Sequence, residues 1–190
     1  NFSIIDQDDQ LRLIKNISKA ENIDTKKISP NVIQSIIDRW KNKGWYPDDV
    51  ILRKRDPLEK SFLEIYKIYQ SKLIDLNSTD FGDLILHCVK IFERNKDISE
   101  IYSRNFKYIL VDEYQDTNHI QSKWLLHLAK YHKNISCVGD DDQSIYSWRG
   151  AEIKNFLEFD KLYKNTKIIR LEQNYRSSQN ILTVASKLIS

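Results

Sequence analysis

The sequence predicts an α/β fold: a partial parallel sheet with helices on both faces, preceded by an all-helical subdomain. Three observations carry that expectation. Up to residue 79, apolar side chains recur at three- and four-residue spacing, the mark of helices that bury one stripe. From residue 80 onward, short apolar runs alternate with helical patterns, which is how a parallel sheet with crossover helices reads. Each of three such runs then stops abruptly at polar residues: Asp112-Glu113, Gly139 through Gln143, and Glu172 through Arg176. The carboxyl ends of parallel strands share one edge, so these clusters are expected to line a single cleft, where open α/β sheets place ligands.

The elements follow in order. Leu11, Ile14 and Ile17 keep helical spacing. Ser29-Pro30 supplies a cap and a first-turn proline for a helix carrying Val32, Ile33, Ile36, Ile37 and Trp40, which Gly44 stops. After a loop with Pro47 and Pro57, a third helix is marked by Phe62, Ile65, Tyr66, Tyr69, Leu73 and Leu76. These stripes read as core packing. The basic run Arg53-Lys54-Arg55 reads as a solvated loop. Asp80 is placed to cap a helix whose inward face would be Phe81, Leu84, Ile85, Cys88, Val89 and Phe92. Strands are expected at 108–111, 135–138 and 167–171, with helices over 121–131, 151–162 and 178–189 between and after them.

The chemistry sits at the strand ends. On an extended backbone Asp112 and Glu113 point to opposite sides, so one could hold a hydrated Mg²⁺ while the other reaches a water. A strand ending in a polar turn is the plain alternative, and spacing alone leaves the two even. Phosphoryl transfer to water needs a metal, a group that orients the water and a cation for the developing charge. Asp112 suits the metal, Glu113 the general base, Gln143 the sensing of a γ-phosphate, and Arg176 the cation. Tyr146 and Trp148 alternate beside Arg149, and on an extended chain both rings would face one way as a platform for single-stranded bases. Their polar neighbours favour stacking over core packing. Asp140 to Asp142 reads as an acidic turn, and His127 and His132 as surface imidazoles.

Composition sets outer limits. The 190 residues are 41% hydrophobic, enough for a sizeable core. The net charge of +3 is evenly spread and does not by itself announce nucleic acid. Cys88 and Cys137 stand singly, without metal-ligand spacing, which reads as two buried thiols in a reducing, cytoplasmic setting and argues against zinc. No apolar run approaches the ~18 residues a membrane span needs. The chain begins at Asn1 and has no methionine, so a piece of something longer is expected.

Three stretches together resemble consecutive motifs of superfamily-one DNA helicases of the UvrD/Rep/PcrA type: VDEYQDTN at 111–118, VGDDDQSIYSWRGA at 138–151 and LEQNYRSS at 171–178. The resemblance implies a RecA-like fold and ATP with Mg²⁺ as cofactors. In that family the residues matching Asp112 and Glu113 serve the metal and the water. Those matching Gln143 and Arg176 approach the γ-phosphate, the one matching Tyr175 stacks on adenine, and those matching Tyr146 and Trp148 stack on the tracked strand. Arg149 would join the DNA or nucleotide network. By the same resemblance, 1–79 is a helical insertion, 80–171 the second half of the first motor domain and 172–190 a hinge into the next. The implied activity is 3′-to-5′ translocation on single-stranded DNA and unwinding at single/double-strand junctions, in repair or replication. A recombination helicase-nuclease and a non-catalytic single-strand-binding remnant are the alternatives. No G-x-x-x-x-G-K-[ST] loop occurs, since none of Gly44, Gly82, Gly139 and Gly150 is followed by Lys-Ser or Lys-Thr. This stretch alone is therefore expected not to hydrolyse ATP.

Overall fold

The computed structural model describes residues 1–23, 28–52 and 57–189, so the basic run at 53–55 lies outside the described residues. The first part comprises β1 (Ser3–Ile5), α1 (Gln7–Ala20), α2 (Pro30–Asn42), α3 (Pro57–Asp75) and β2 (Ser78–Asp80). Local chemistry fixes the helix ends. Asp6 accepts the amides of Asp8 and Asp9 at the start of α1, at 3.0 and 2.9 Å, as a capping carboxylate does. Pro30 opens α2 as expected, although the Ser29 hydroxyl makes no capping bond. Gly44 follows its end with φ +80°, where a Cβ would come within 2.9 Å of the Ile120 side chain, so the turn requires glycine.

Helices α1, α2 and α3 bury the expected stripes in one core that includes Ile14, Ile33, Ile37, Tyr66, Tyr69 and Leu73. Val32 and Leu76 fall outside it and are exposed. The helical part also has a strand at each end: β1 and β2 pair in parallel, Ser3 beside Ser78 and Ile5 beside Asp80. Three residues are too few to show a periodicity, which is why the pair is silent in the sequence.

The second part runs α4 (Phe81–Arg94), α5 (Lys96–Asn105), β3 (Ile109–Val111), α6 (His119–Ala129), β4 (Ile135–Cys137), α7 (Ile153–Leu157), α8 (Phe159–Leu162) and α9 (Gln179–Ile189). Strands β3 and β4 pair in parallel, with Val111 beside Cys137. Helix α6 begins in a reciprocal cap: Asn118 Oδ1 accepts the Gln121 amide at 3.0 Å and Gln121 Oε1 accepts the Asn118 amide at 2.9 Å. Leu86, Val89 and Ile120 form a second core with Trp124 and Tyr46 against it, and α2 touches both α4 and α6. No helix among the described residues is long and apolar enough to cross a membrane.

Several expectations are corrected. Asp80 caps α4 as read, its carboxylate accepting the Asp83 amide at 2.9 Å, but the inward face is Asp83, Leu86, Val89 and Phe92. Phe81 is 60% exposed, and the Cys88 thiol is exposed rather than buried. The cause is an ion group: fully buried Lys41 on α2 reaches Asp80 at 2.5 Å and Asp83 at 2.9 Å, which turns residue 83 inward. At roughly 100° per residue, positions 81 and 88 then face away. The helix expected over 151–162 breaks at Glu158, which brings the Phe159 ring edge-on to Tyr114 at 5.5 Å. Residues 167–171 form no strand. Ile168, Ile169 and Leu171 are 73%, 67% and 83% exposed. No strand among the described residues pairs with them, so their backbone lacks the ladder that would make them one.

Candidate nucleotide and nucleic-acid site

The two strand ends are stitched together beyond the sheet. Val138 donates its amide to Val111 O at 2.8 Å, and Tyr114 donates to Val138 O at 3.0 Å. Asp112 leaves the strand exposed, and its Oδ1 accepts the Glu113 amide at 2.9 Å. Glu113 does not continue the strand. Its backbone is left-handed (φ 50°, ψ 43°), and a 3-10 turn over Tyr114–Asp116 follows. The premise of an extended Asp112-Glu113 pair is therefore corrected: the two carboxylates are separated by a backbone reversal.

That reversal is held from below. Tyr114 is buried, its hydroxyl 3.2 Å from Ser122 Oγ, and burial raises its pKa above the ordinary phenol value. Gln115 is 1% exposed. Its Nε2 donates to Glu113 Oε2 at 2.7 Å and its Oε1 accepts the Asp140 amide at 3.1 Å. Asp140 in turn accepts the Asp142 amide at 3.1 Å on one oxygen and Gln143 Nε2 at 2.7 Å on the other. Glu113 and Gln143 thus belong to one hydrogen-bonded turn system. Burial pushes the Cys137 thiol up to about 12, so at neutral pH it stays a thiol and offers no thiolate chemistry here.

The segment after Gln143 is a turn, not an extended strand. A 3-10 turn covers Ser147–Arg149, and Gly150 leaves it with φ 92°. The rings of Tyr146 and Trp148 still lie side by side, with centroids 6.4 Å apart and planes tilted by 49°. Trp148 is 74% exposed. The turn is fastened to the helical part: Asn42 at the end of α2 donates to Arg149 O at 3.2 Å and accepts from Asn118 Nδ2 at 3.0 Å. Thr117 O accepts both the Glu152 amide at 3.0 Å and Asn155 Nδ2 at 3.1 Å.

The third cluster does not join the other two. Tyr175 is 91% exposed and Arg176 is exposed as well. Asn174 Oδ1 accepts the amides of Arg176 and Ser177, each at 2.9 Å, ahead of α9. With no strand at 167–171, nothing among the described residues delivers this turn to the edge where β3 and β4 end. Gln115 and Asn118 lie within the 111–118 stretch and Asn42 outside it, but none is singled out by type, because an amide that bonds across a turn has the same letter as a solvated one.

The acidic side chains of these turns, Asp112, Asp116 and Asp140, offer oxygen donors. No three His, Cys, Asp or Glu side chains converge as a metal cage among the described residues. Asp116 Oδ1, in the same turn, is buried without a hydrogen-bond partner among them. Carboxylate oxygens without a cage fit a hard ion such as Mg²⁺, which keeps most of its waters and takes one or two protein carboxylates.

The sequence profile of the UvrD/REP helicase N-terminal domain matches residues 1–164. A probable DNA helicase II homolog of Rickettsia conorii is 48% identical over 190 residues, covering 100% of this chain and 29% of that protein. The ATP-dependent DNA helicase PcrA of Bacillus subtilis is 45% identical over 189 residues, and that of Staphylococcus aureus strain Mu50 44%, each covering 100% of this chain and 26% of the relative. The chain thus spans under a third of the length of these relatives.

Proposed function

Because the chain belongs to the UvrD/REP helicase N-terminal domain family, we propose that it is a segment of an ATP-dependent DNA helicase that couples nucleotide hydrolysis to its grip on single-stranded DNA. One observation carries the coupling: the turn system that holds Glu113 also holds Gln143, and Gln143 lies three residues before the first of the rings of Tyr146 and Trp148. A change at one end has a short, bonded path to the other.

In this reading Glu113 takes the proton of the attacking water, and its left-handed backbone takes the chain off the line of the strand at that residue. Asp112 would hold Mg²⁺ directly or through water. The bound ion would neutralise phosphate charge during hydrolysis. Gln143 gives up its bond to Asp140 when a γ-phosphate offers a better acceptor. Tyr146 and Trp148 take bases on their faces, and Arg149 supplies a cation beside them. Tyr175 would stack on adenine and Arg176 reach the γ-phosphate once the hinge segment 172–190 is brought across.

The division into a helical insertion (1–79) and a motor half (80–171), the 3′-to-5′ direction, the preference for single/double-strand junctions and a cytoplasmic place in repair or replication belong to the same proposal. They rest on the family resemblance. Without a phosphate-cradling lysine loop among its 190 residues, the segment alone is expected to be inactive. The test is Glu113→Gln in the full-length protein. Mg-nucleotide binding should persist while single-turnover hydrolysis falls by about 10²-fold or more, as for loss of a general base. Near-normal turnover would remove Glu113 from the role.

A further inference from the structure

We propose that Gln115 is a positioning residue that locks Glu113 and the Gln143-bearing loop into one geometry, so that base and phosphate sensor are set relative to each other by a single buried amide. This rests on the roles just given to Glu113 and Gln143 and adds the residue between them.

Both ends of the amide are bonded. Gln115 is 1% exposed, with Nε2 on the Glu113 carboxylate and Oε1 on the Asp140 amide. Only one orientation satisfies both partners, because a flipped amide would set its oxygen against a carboxylate and its NH₂ against an N–H. The neighbouring backbone is cut to fit. At Gly139 a Cβ would sit 2.6 Å from Gln115 Oε1 and 2.8 Å from Phe156 Cε2, so a side chain there would displace the amide from Asp140.

Glu113 needs such a hold. Its φ is 50°, and a non-glycine residue in that region persists only where its surroundings over-determine it. The bond to Oε2 fixes the carboxylate rotamer and leaves Oε1 for a water. On the other side, the Asp140 amide sets where Asp140 holds Gln143. The bonded line Glu113, Gln115, Asp140, Gln143 is continuous, and Gln115 is its buried member. A misplacement of about 1 Å at a reacting group can cost about 10²-fold in rate.

The experiment compares three variants of the full-length protein: Gln115→Met, Gln115→Glu and Glu113→Gln. Methionine keeps the volume and loses both bonds. Glutamate keeps an acceptor for the Asp140 amide but sets a second carboxyl against Glu113, so that the two share a proton and Glu113 is no longer a free base. Both Gln115 variants should lose about 10²-fold in kcat with the KM for ATP and the Mg-nucleotide Kd unmoved. Gln115→Glu alone should keep the wild-type ratio of DNA-stimulated to basal hydrolysis, because its loop tether survives. The proposal is overturned if Glu113→Gln is inactive while both Gln115 variants turn over normally. It is also overturned if their loss matches the fall in folded fraction, with kcat per folded molecule unchanged. If Glu113→Gln itself turns over normally, the general-base reading has failed, an outcome distinct from failure of the Gln115 variants alone. Should Gln115→Met not fold, Gln115→Glu decides the kcat question by itself.

Discussion

Arg149 rests its guanidinium 4.7 Å from the Trp148 ring centre and 5.0 Å from that of Tyr146, so one cation lies against both rings. In the proposed role, a base stacking there would displace the guanidinium toward solvent, where it could meet the phosphate that arrives with the base. Trp148 is the more exposed of the two rings and makes the cleaner test. In the full-length protein, Trp148→Ala should weaken single-stranded DNA binding by about 1–3 kcal/mol for the base it loses. Anisotropy titrations at fixed salt read this directly. Unchanged affinity would return the ring to a purely structural role.

Among the elements, the turn carrying those rings depends on how it is seated. Gly150 has φ +92°, and a Cβ there would lie 3.1 Å from Asn42 Nδ2, the atom that donates to Arg149 O. Gly150→Ala should therefore cost about 1–2 kcal/mol from the left-handed backbone alone and also loosen the Asn42 bond. Urea denaturation together with DNA titration should show both stability and affinity reduced, and no change in either would mean that the turn tolerates the side chain. What could be read from letters alone divides along physical lines. The proline start of α2, the Asp80 cap and the stripe from Phe62 to Leu73 were legible because each is a local pattern. The inward face of α4 was misread because its key inward residue is Asp83, and a periodicity of apolar letters cannot see a buried charge. The strand expected at 167–171 failed because a strand depends on a pairing edge that its own residues do not encode. Residues Asp112, Glu113, Gln143, Tyr146, Trp148 and Arg149 stood out as types in polar clusters. The reversal at Glu113 did not, since no glycine marks it.

At the scale of the whole molecule, the feature that binds its parts is the buried ammonium of Lys41. It lies between Asp80 and Asp83, with the Tyr69 ring centre 5.0 Å away and the Tyr69 hydroxyl donating to Asp80 at 2.8 Å. Asp83 Oδ2 stands 2.9 Å from the same ammonium, an ion pair buried on both sides. Lys41→Met leaves two acids buried without their cation and should cost about 3–5 kcal/mol in denaturant unfolding. Burial holds the Asp83 carboxyl above the usual range, opposed by Lys41. A raised carboxyl stabilises the fold below its unfolded value of 3.8, and that contribution is lost as pH rises through the folded value. The deficit of the variant should accordingly shrink on acidification toward about pH 4, and a pH-independent deficit would mean that lost packing, not orphaned charge, is its cause. The same ion group bears on how portable the segments are. Lys41 lies before the change of pattern near residue 80, and both its acids lie at or after it. A cut between 79 and 80 would leave a lone cation on one piece and two acids on the other. Residues 1–79 should not be transplantable into another protein unless the recipient supplies carboxylates at the positions of Asp80 and Asp83.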